Sequence, residues 1–550
     1  MLNVLELSVG FADAENFRRK ENRDLFSRLF VKTEALEKLA DPGVSFLIGE
    51  KGTGKTAYAA YYSLFSYRDA RAELKYIRET EYRKFLSLRR DKHLSLSDFV
   101  QIWKVIICLL LAQQIVDHDA SLVGRFVKLR NLKEAIDSFY ENAFAPEIAN
   151  ALQMIERSEI SAKLLVERAQ LGGTLAQEVR GTRSIFQVNL MRIQRAFEDA
   201  LRSLKLPRSE ILFIDGIDVR PNTVPYDEYL DCIKGLANAV WEINNDFLAN
   251  IKDSPGRLRV VLLIRPDIFD SLELQNQNTK VTSNSVLLDW RTNYEVHRSS
   301  KLFEVIDRLL AAQQNPQPSL GEAWDYYFPF DSPTVMASFS HPSSFVGFLR
   351  LSFYRPRDLI RMLEVLQEQV RAEQPAGKAA FAFADTEKSE VRNKYANYLL
   401  GEIKDHLLFY YSRNDYELFL KFFEFLRGKK KFSYSEYVQA YDLLVGYAHK
   451  SRHKLPVFMT TSDGFLQFLY DLNVICYFEH AEDGQQFIRW CFRERTYANM
   501  SPKIKTHSEY EIHYGIARAL NIGVALKDKA PRDRRASDKR TAGRGKYRRK

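Results

Sequence analysis

One stretch, Gly49-Glu50-Lys51-Gly52-Thr53-Gly54-Lys55-Thr56, constrains this chain more than any other. Three glycines within six residues continue neither a helix nor a strand without cost, so the backbone must turn there. Before the turn stands SFLI, Ser45 to Ile48, a short apolar run of the kind that forms a buried parallel strand. After it, TAYAAYYSLFSY is alanine-rich and free of breakers, which predicts a helix. The expected order is strand, glycine loop, helix, and the loop matches G-x-x-x-x-G-K-[ST] at every fixed position. At average residue frequencies such a match arises by chance in about 2% of chains of this length, so a functional loop is the better reading.

That pattern has a chemistry. Glycines let backbone N–H groups turn inward around phosphate oxygens, and the following helix adds its positive N-terminal end. Lys55 has the reach for β- and γ-phosphates, and Thr56 offers a hydroxyl to Mg²⁺. Gly49, Glu50, Lys51, Gly52, Thr53, Gly54 and Ala57 complete the expected ATP-binding set. An acidic partner follows in ILFIDGID, where four apolar residues lead into Asp215, the expected Mg²⁺-side carboxylate. Asp218, three residues on, is placed to orient an attacking water; a turn or helix cap is its plainer role.

Arginines supply the remaining candidates. Arg265 ends the apolar run RLRVVLLI, at the strand end that faces the ligand crevice of a parallel sheet. There it is either a γ-phosphate contact or a salt-bridged strand terminus. Arg355 and Arg357 flank Pro356 at the start of a helix, and Arg357 is the preferred lid residue over the nucleotide. Arg291, just past LLDW, is a weaker trans-acting candidate.

Around these motifs the chain reads as α/β. Strand candidates AELKYI (Ala72 to Ile77), EILFID (Glu210 to Asp215), RLRVVLLI (Arg257 to Ile264) and SVLLDW (Ser285 to Trp290) join SFLI in a parallel sheet with helices on both faces. At 550 residues the chain holds roughly three to four domain-sized units. Residues 1–83 open a P-loop NTPase core, 84–206 form a long helical insertion, 207–300 complete the core, and 301–373 form a helical lid. Residues 374–390 read as a linker or exposed loop. Residues 391–526 form a winged-helix-like α+β module: a helix pair whose second member opens on a Ser433…Glu436 capping box, then a hairpin around Asp483-Gly484. Residues 527–550 form a basic tail, expected to be disordered.

The set GEKGTGKT, LFIDGID, VVLLIRPDIF and YRPRDLIRML resembles bacterial ATPases of the AAA+/STAND side of the P-loop class, KAP-like members included. The resemblance covers about Ser45 to Glu368. It implies that Asp215 and Asp218 serve Mg²⁺ and water positioning, that Arg265 is a strand-end sensor, and that Arg357 is a lid sensor. It also implies a nucleotide-gated switch or oligomeric motor, of a kind often found in signalling and phage defence, with a homo-oligomer or a partner protein. The family's second acidic residue, right after the position of Asp218, is Val219 here, which implies slow or partner-dependent hydrolysis.

Net charge is +10, yet the run from Lys527 to Lys550 alone carries twelve Lys or Arg against three Asp, leaving the rest near neutral. Such a tail suits sequence-independent contact with nucleic acid or another polyanion. Cys108, Cys232, Cys476 and Cys491 lie far apart with no CxxC pair, which argues against disulfides or a zinc site and fits a reducing cytoplasm. The longest apolar run, VIICLLLA from Val105 to Ala112, is less than half of a membrane span, so no membrane is expected. Histidines such as His297, His341 and His513 are isolated and read as structural or exposed. Three functions fit: an ATP-hydrolysing switch, a non-hydrolysing nucleotide-binding scaffold whose tail binds nucleic acid, and a small-molecule phosphotransferase.

Overall fold

In the computed structural model the described residues are 1–11, 13–77, 96–118, 130–131, 134–135, 183–218, 220, 224–252, 254–331, 343–374, 376–482 and 484–523. Five parallel strands make one sheet: β1 (Phe46–Ile48), β2 (Arg71–Tyr76), β3 (Glu210–Asp215), β4 (Leu258–Ile264) and β5 (Ser285–Leu287), in the order β2-β3-β4-β1-β5. Every residue of β1, β3 and β4 is buried, as interior strands covered on both faces require. On β2, at the edge, burial falls to a partial pattern. The chain leaving β1 runs toward the β2 edge, whereas the connections leaving β2, β3 and β4 all run the other way. The order therefore reverses at β1, and a crevice opens beyond the strand ends where Ile48, Asp215 and Ile264 lie side by side.

Alternate residues of β4 divide the interior. Val260, Leu262 and Ile264 face a core built with α2 (Leu96–His118), α3 (Arg183–Arg202) and α4 (Tyr226–Glu242). Val261 and Leu263 face a second core shared with α1 (Lys55–Phe65) and the C-terminal half of the chain. Within α2, residues Phe99–His118 are long and apolar enough to cross a membrane by length and composition, a longer apolar helix than the eight-residue run suggested. In this fold most of that surface packs against α4 and α3, and Trp103 Nε1 donates to the Cys232 carbonyl at 3.2 Å. The middle of the expected insertion, including NLKEAIDSFYENAF, lies largely outside the described residues.

Beyond the sheet come α5 (Lys301–Ala311), α6 (Pro356–Glu373), α7 (Ser389–Tyr410), α8 (Arg413–Phe425), α9 (Tyr434–Lys450) and α10 (Ser462–Asp471). A second, antiparallel sheet has the order β6-β9-β7-β8, from β6 (Lys431–Ser433), β7 (Ile475–His480), β8 (Gln486–Arg489) and β9 (Glu509–Ile512). The Ser433 capping box forms: Ser433 N donates to Glu436 Oε2 at 2.8 Å, and Glu436 N to Ser433 Oγ at 3.3 Å. Expected as a hairpin, β7 and β8 pair through a five-residue loop that contains Gly484; Asp483 lies outside the described residues. The reading of 374–390 as a linker or exposed loop is corrected from Phe381 onward. Phe381 is buried and stacks on Phe328 with ring centroids 5.0 Å apart, and residues Phe383–Glu387 are helical. Two aromatics among the small residues of AAFAFAD were enough to anchor the segment to the lid.

Candidate functional site

The glycine loop closes over itself before it meets anything else. Gly52 and Gly54 have φ of 87° and 98°, the left-handed region that side chains resist. Thr53 Oγ1 donates to the Glu50 carbonyl at 2.8 Å, and Lys55 Nζ donates to the carbonyls of Gly49 and Glu50 at 2.8 and 3.2 Å. Lys55 thus sits inside the loop it follows. Helix α1 begins at Lys55, so its unpaired N–H groups point into the turn.

Across the crevice, Thr56 Oγ1 donates to Asp215 Oδ2 at 2.6 Å, although β4 lies between the two strands that position them. Asp215 Oδ1 accepts from Gly216 N at 2.7 Å. Burial raises the Asp215 pKa and neighbouring Asp218 adds to the rise, against the pull of Lys55, Thr56 and Gly216. Burial likewise lowers the Lys55 pKa, partly offset by Asp218 and Asp215. One ammonium and two carboxylates therefore lie close together, Lys55 and Asp215 buried and Asp218 half-buried.

These groups open onto a cavity of about 500 Å³ lined by Lys51, Gly52, Thr53, Gly54, Lys55, Thr56, Ala57, Asp215, Asp218 and Arg357. Its far side is apolar and comes from a part of the chain in which the sequence suggested no site: Phe11, Phe17, Phe26 and Phe30, ahead of β1, with Val305 and Leu309 of α5 and Ile360 of α6. That N-terminal segment is tied to α6 through Gln367, whose Nε2 donates to the carbonyls of Val4 and Leu7 at 2.8 and 2.7 Å. Phenylalanines spaced irregularly through GFADAENFRRKENRDLFSRLF gave no periodic signal to find them by.

The remaining predicted residues do not line that cavity. Gly49 lies beneath the loop, with its carbonyl held by Lys55. Glu50 faces the opposite side, paired with Arg495, whose charge and that of Arg355 hold its pKa low against burial. Arg265 is buried in a pair with Asp267, which also accepts from His406 and Tyr410 of α7, and its guanidinium lies 4.8 Å from the Phe409 ring centroid. Arg355 is likewise turned away from the cavity. Its Nε and Nη2 engage Asp358 at 2.9 and 2.8 Å, and Nη1 donates to the Lys51 carbonyl at 2.9 Å. Arg291 pairs with Asp289 on the surface. Val219 lies outside the described residues.

The outer face of the loop is thus gripped by distant parts of the chain. Lys51 Nζ reaches Asp405 at 2.7 Å and Glu402 at 3.3 Å on α7, and Trp290 Nε1 donates to the Thr53 carbonyl at 2.9 Å. Among the described residues no group of three or more His, Cys, Asp or Glu side chains converges as a metal-ligand set. No protein-family model matches the chain, and a search of curated proteins returns no match.

Proposed function

We propose that this chain is a Mg²⁺-dependent ATPase of the AAA+/STAND kind, working as a nucleotide-dependent switch. The observation that carries the reading is the 2.6 Å contact between Thr56 Oγ1 and Asp215 Oδ2 at the mouth of a glycine loop that opens a helix. A hydroxyl and a carboxylate so placed, with open space beside them, suit a cation that keeps several waters and takes its other ligands from phosphate. Bound Mg²⁺ would offset charge on the transferring phosphoryl group. The loop amides and Lys55 hold the phosphates, Lys55 exchanging its bonds to Gly49 and Glu50 for phosphate oxygens. Asp218 accepts a hydrogen bond from the attacking water, and Arg357 contributes charge from the lid. The phenylalanines ahead of β1 supply an apolar wall for a purine base.

Glu50 and Lys51 each carry a contact from outside the core, and that supports a switch rather than a plain phosphatase. In this reading the three helices α8 to α10 with the antiparallel sheet are a winged-helix-like module that responds to loop geometry. ATP·Mg²⁺ binding by calorimetry and steady-state phosphate release test it. Wild type is expected to bind and turn over ATP. Lys55→Ala and Asp215→Ala are each expected to lower turnover by about 10²–10³-fold, the usual effect of removing one preorganised charge-stabilising group. Wild-type release no faster than that of the two variants would reject hydrolysis, and absence of ATP binding would reject the site itself.

A further inference from the structure

We infer that the end of α9 and the segment after it form a binding surface for single-stranded nucleic acid. The surface is distinct from the basic tail and independent of the nucleotide reading. No Asp or Glu occurs between Asp442 and Asp463, while His449, Lys450, Arg452, His453 and Lys454 follow one another there, all exposed. Elsewhere in this part of the chain some exposed cations are matched, Lys429 with Glu436 and Lys505 with Glu479, whereas others, such as Arg427 and Lys503, have no carboxylate partner among the described residues. Among the described residues no carboxylate pairs with Lys450, Arg452 or Lys454.

The segment is held in place by its backbone. Ser451 N donates to the Tyr447 carbonyl at 2.9 Å, Arg452 N to His449 at 3.2 Å and His453 N to Ala448 at 2.9 Å, and Arg452 takes a left-handed φ of 54°. This is a closed helix terminus rather than a loose strand, so its cations project from a fixed turn. Complementing the helix dipole accounts for Lys450, in the last turn, but that effect fades before Arg452 and Lys454. Unpaired cations on a fixed turn attract a phosphodiester chain and release its counterions. The two exposed imidazoles beside the cations offer flat faces on which unpaired bases stack, whereas Tyr447, 38% exposed, already carries the Lys421 ammonium 5.0 Å from its ring centroid. A duplex is disfavoured because the third helix of the module, α10, is unavailable to a groove. Only Asp463 of α10 is exposed, and Gln467 is engaged by the Pro502 carbonyl and Ile504 N.

The test is fluorescence anisotropy of a labelled mixed-sequence 30-mer with the full chain, wild type against Lys450→Gln/Arg452→Gln/Lys454→Gln, across a salt series. Because the tail is present in both proteins, the difference belongs to the turn. The variant is expected to bind at least about tenfold more weakly near 100 mM salt, and its slope of log K against log salt is expected to be shallower by about 2, from three lost phosphate contacts on a single strand. An unchanged melting temperature shows that the fold is retained. Equal affinity and slope in the two proteins overturn the proposal, as does a wild type that binds no 30-mer. Tighter binding of the matching duplex, of polyglutamate, or of anionic vesicles assigns the surface to another partner and likewise overturns it.

Discussion

Asp215 serves the proposed chemistry at the expense of the fold. Its carboxyl is buried beside Asp218, and its pKa is raised above the usual 3.8. A group whose folded-state pKa is raised binds its proton more tightly in the folded chain, so the stability penalty is absent well below 3.8 and develops as pH climbs through the raised value. Asp215→Asn keeps the shape and removes the charge. It is expected to raise the melting temperature at neutral pH by about 2–4 °C, roughly 1 kcal/mol for a domain of this size, and to give no gain near pH 3. Calorimetric melts of both proteins at the two pH values measure this. Phosphate release by the variant should fall with that of Asp215→Ala, because the stabilising change removes the carboxylate the function needs.

Within the element that opens α6, two arginines two residues apart have opposite surroundings. Arg355 is 8% exposed and forms a two-pronged pair with Asp358, which is fully buried, and Asp358 also accepts from Phe353 N and Tyr398 OH. Arg357 lines the cavity and is a quarter exposed. Removing Arg355 leaves a buried carboxylate without its cation, so Arg355→Ala is expected to cost about 3–5 kcal/mol in urea unfolding. Arg357→Ala is expected to cost less than about 1 kcal/mol there while weakening ATP binding severalfold. Equal stability losses in the two variants would contradict this division of roles. Periodicity could not separate the two side chains, because Arg355 precedes the helix at its N-cap and Arg357 lies one step inside it.

Acid sensitivity belongs to the whole molecule, because His513 joins the lid to the C-terminal sheet. Its Nε2 donates to the Ser352 carbonyl at 3.2 Å, its Nδ1 accepts from Gly515 N at 3.1 Å, and Phe353 and Trp490 enclose the ring. Both nitrogens are committed in the neutral form, and burial lowers the pKa to about 3. The unfolded chain takes up the proton first, near 6.5, so the contribution is complete above that pH and declines as pH falls toward 3. Wild type is expected to lose about 1.4 kcal/mol per pH unit more than His513→Gln between pH 6 and 5, measured by urea titration. His406, whose pKa burial also lowers, is common to both proteins and drops out of the difference. ATP·Mg²⁺ at about 100 times its dissociation constant is expected to add about 2.7 kcal/mol to wild type and nothing to Lys55→Ala.

Local chemistry was legible without a fold. Glycines that must turn, apolar runs that must be covered and alanines that favour a helix placed β1, the loop, β3 and β4 within a residue and α1 within two residues of where they stand, and a serine three residues before a glutamate marked the start of α9. Each of those signals lies within a few neighbouring residues. The partners of Glu50, Arg355 and Arg265, the aromatic wall ahead of β1, the anchoring of Phe381 and the strand β9 depended on residues far apart in the chain, 445 positions in the pairing of Glu50 with Arg495. A side chain's type limits what it can bond, but which of several carboxylates or carbonyls it meets is decided by how the two cores pack against the sheet, and that information is spread over the whole chain.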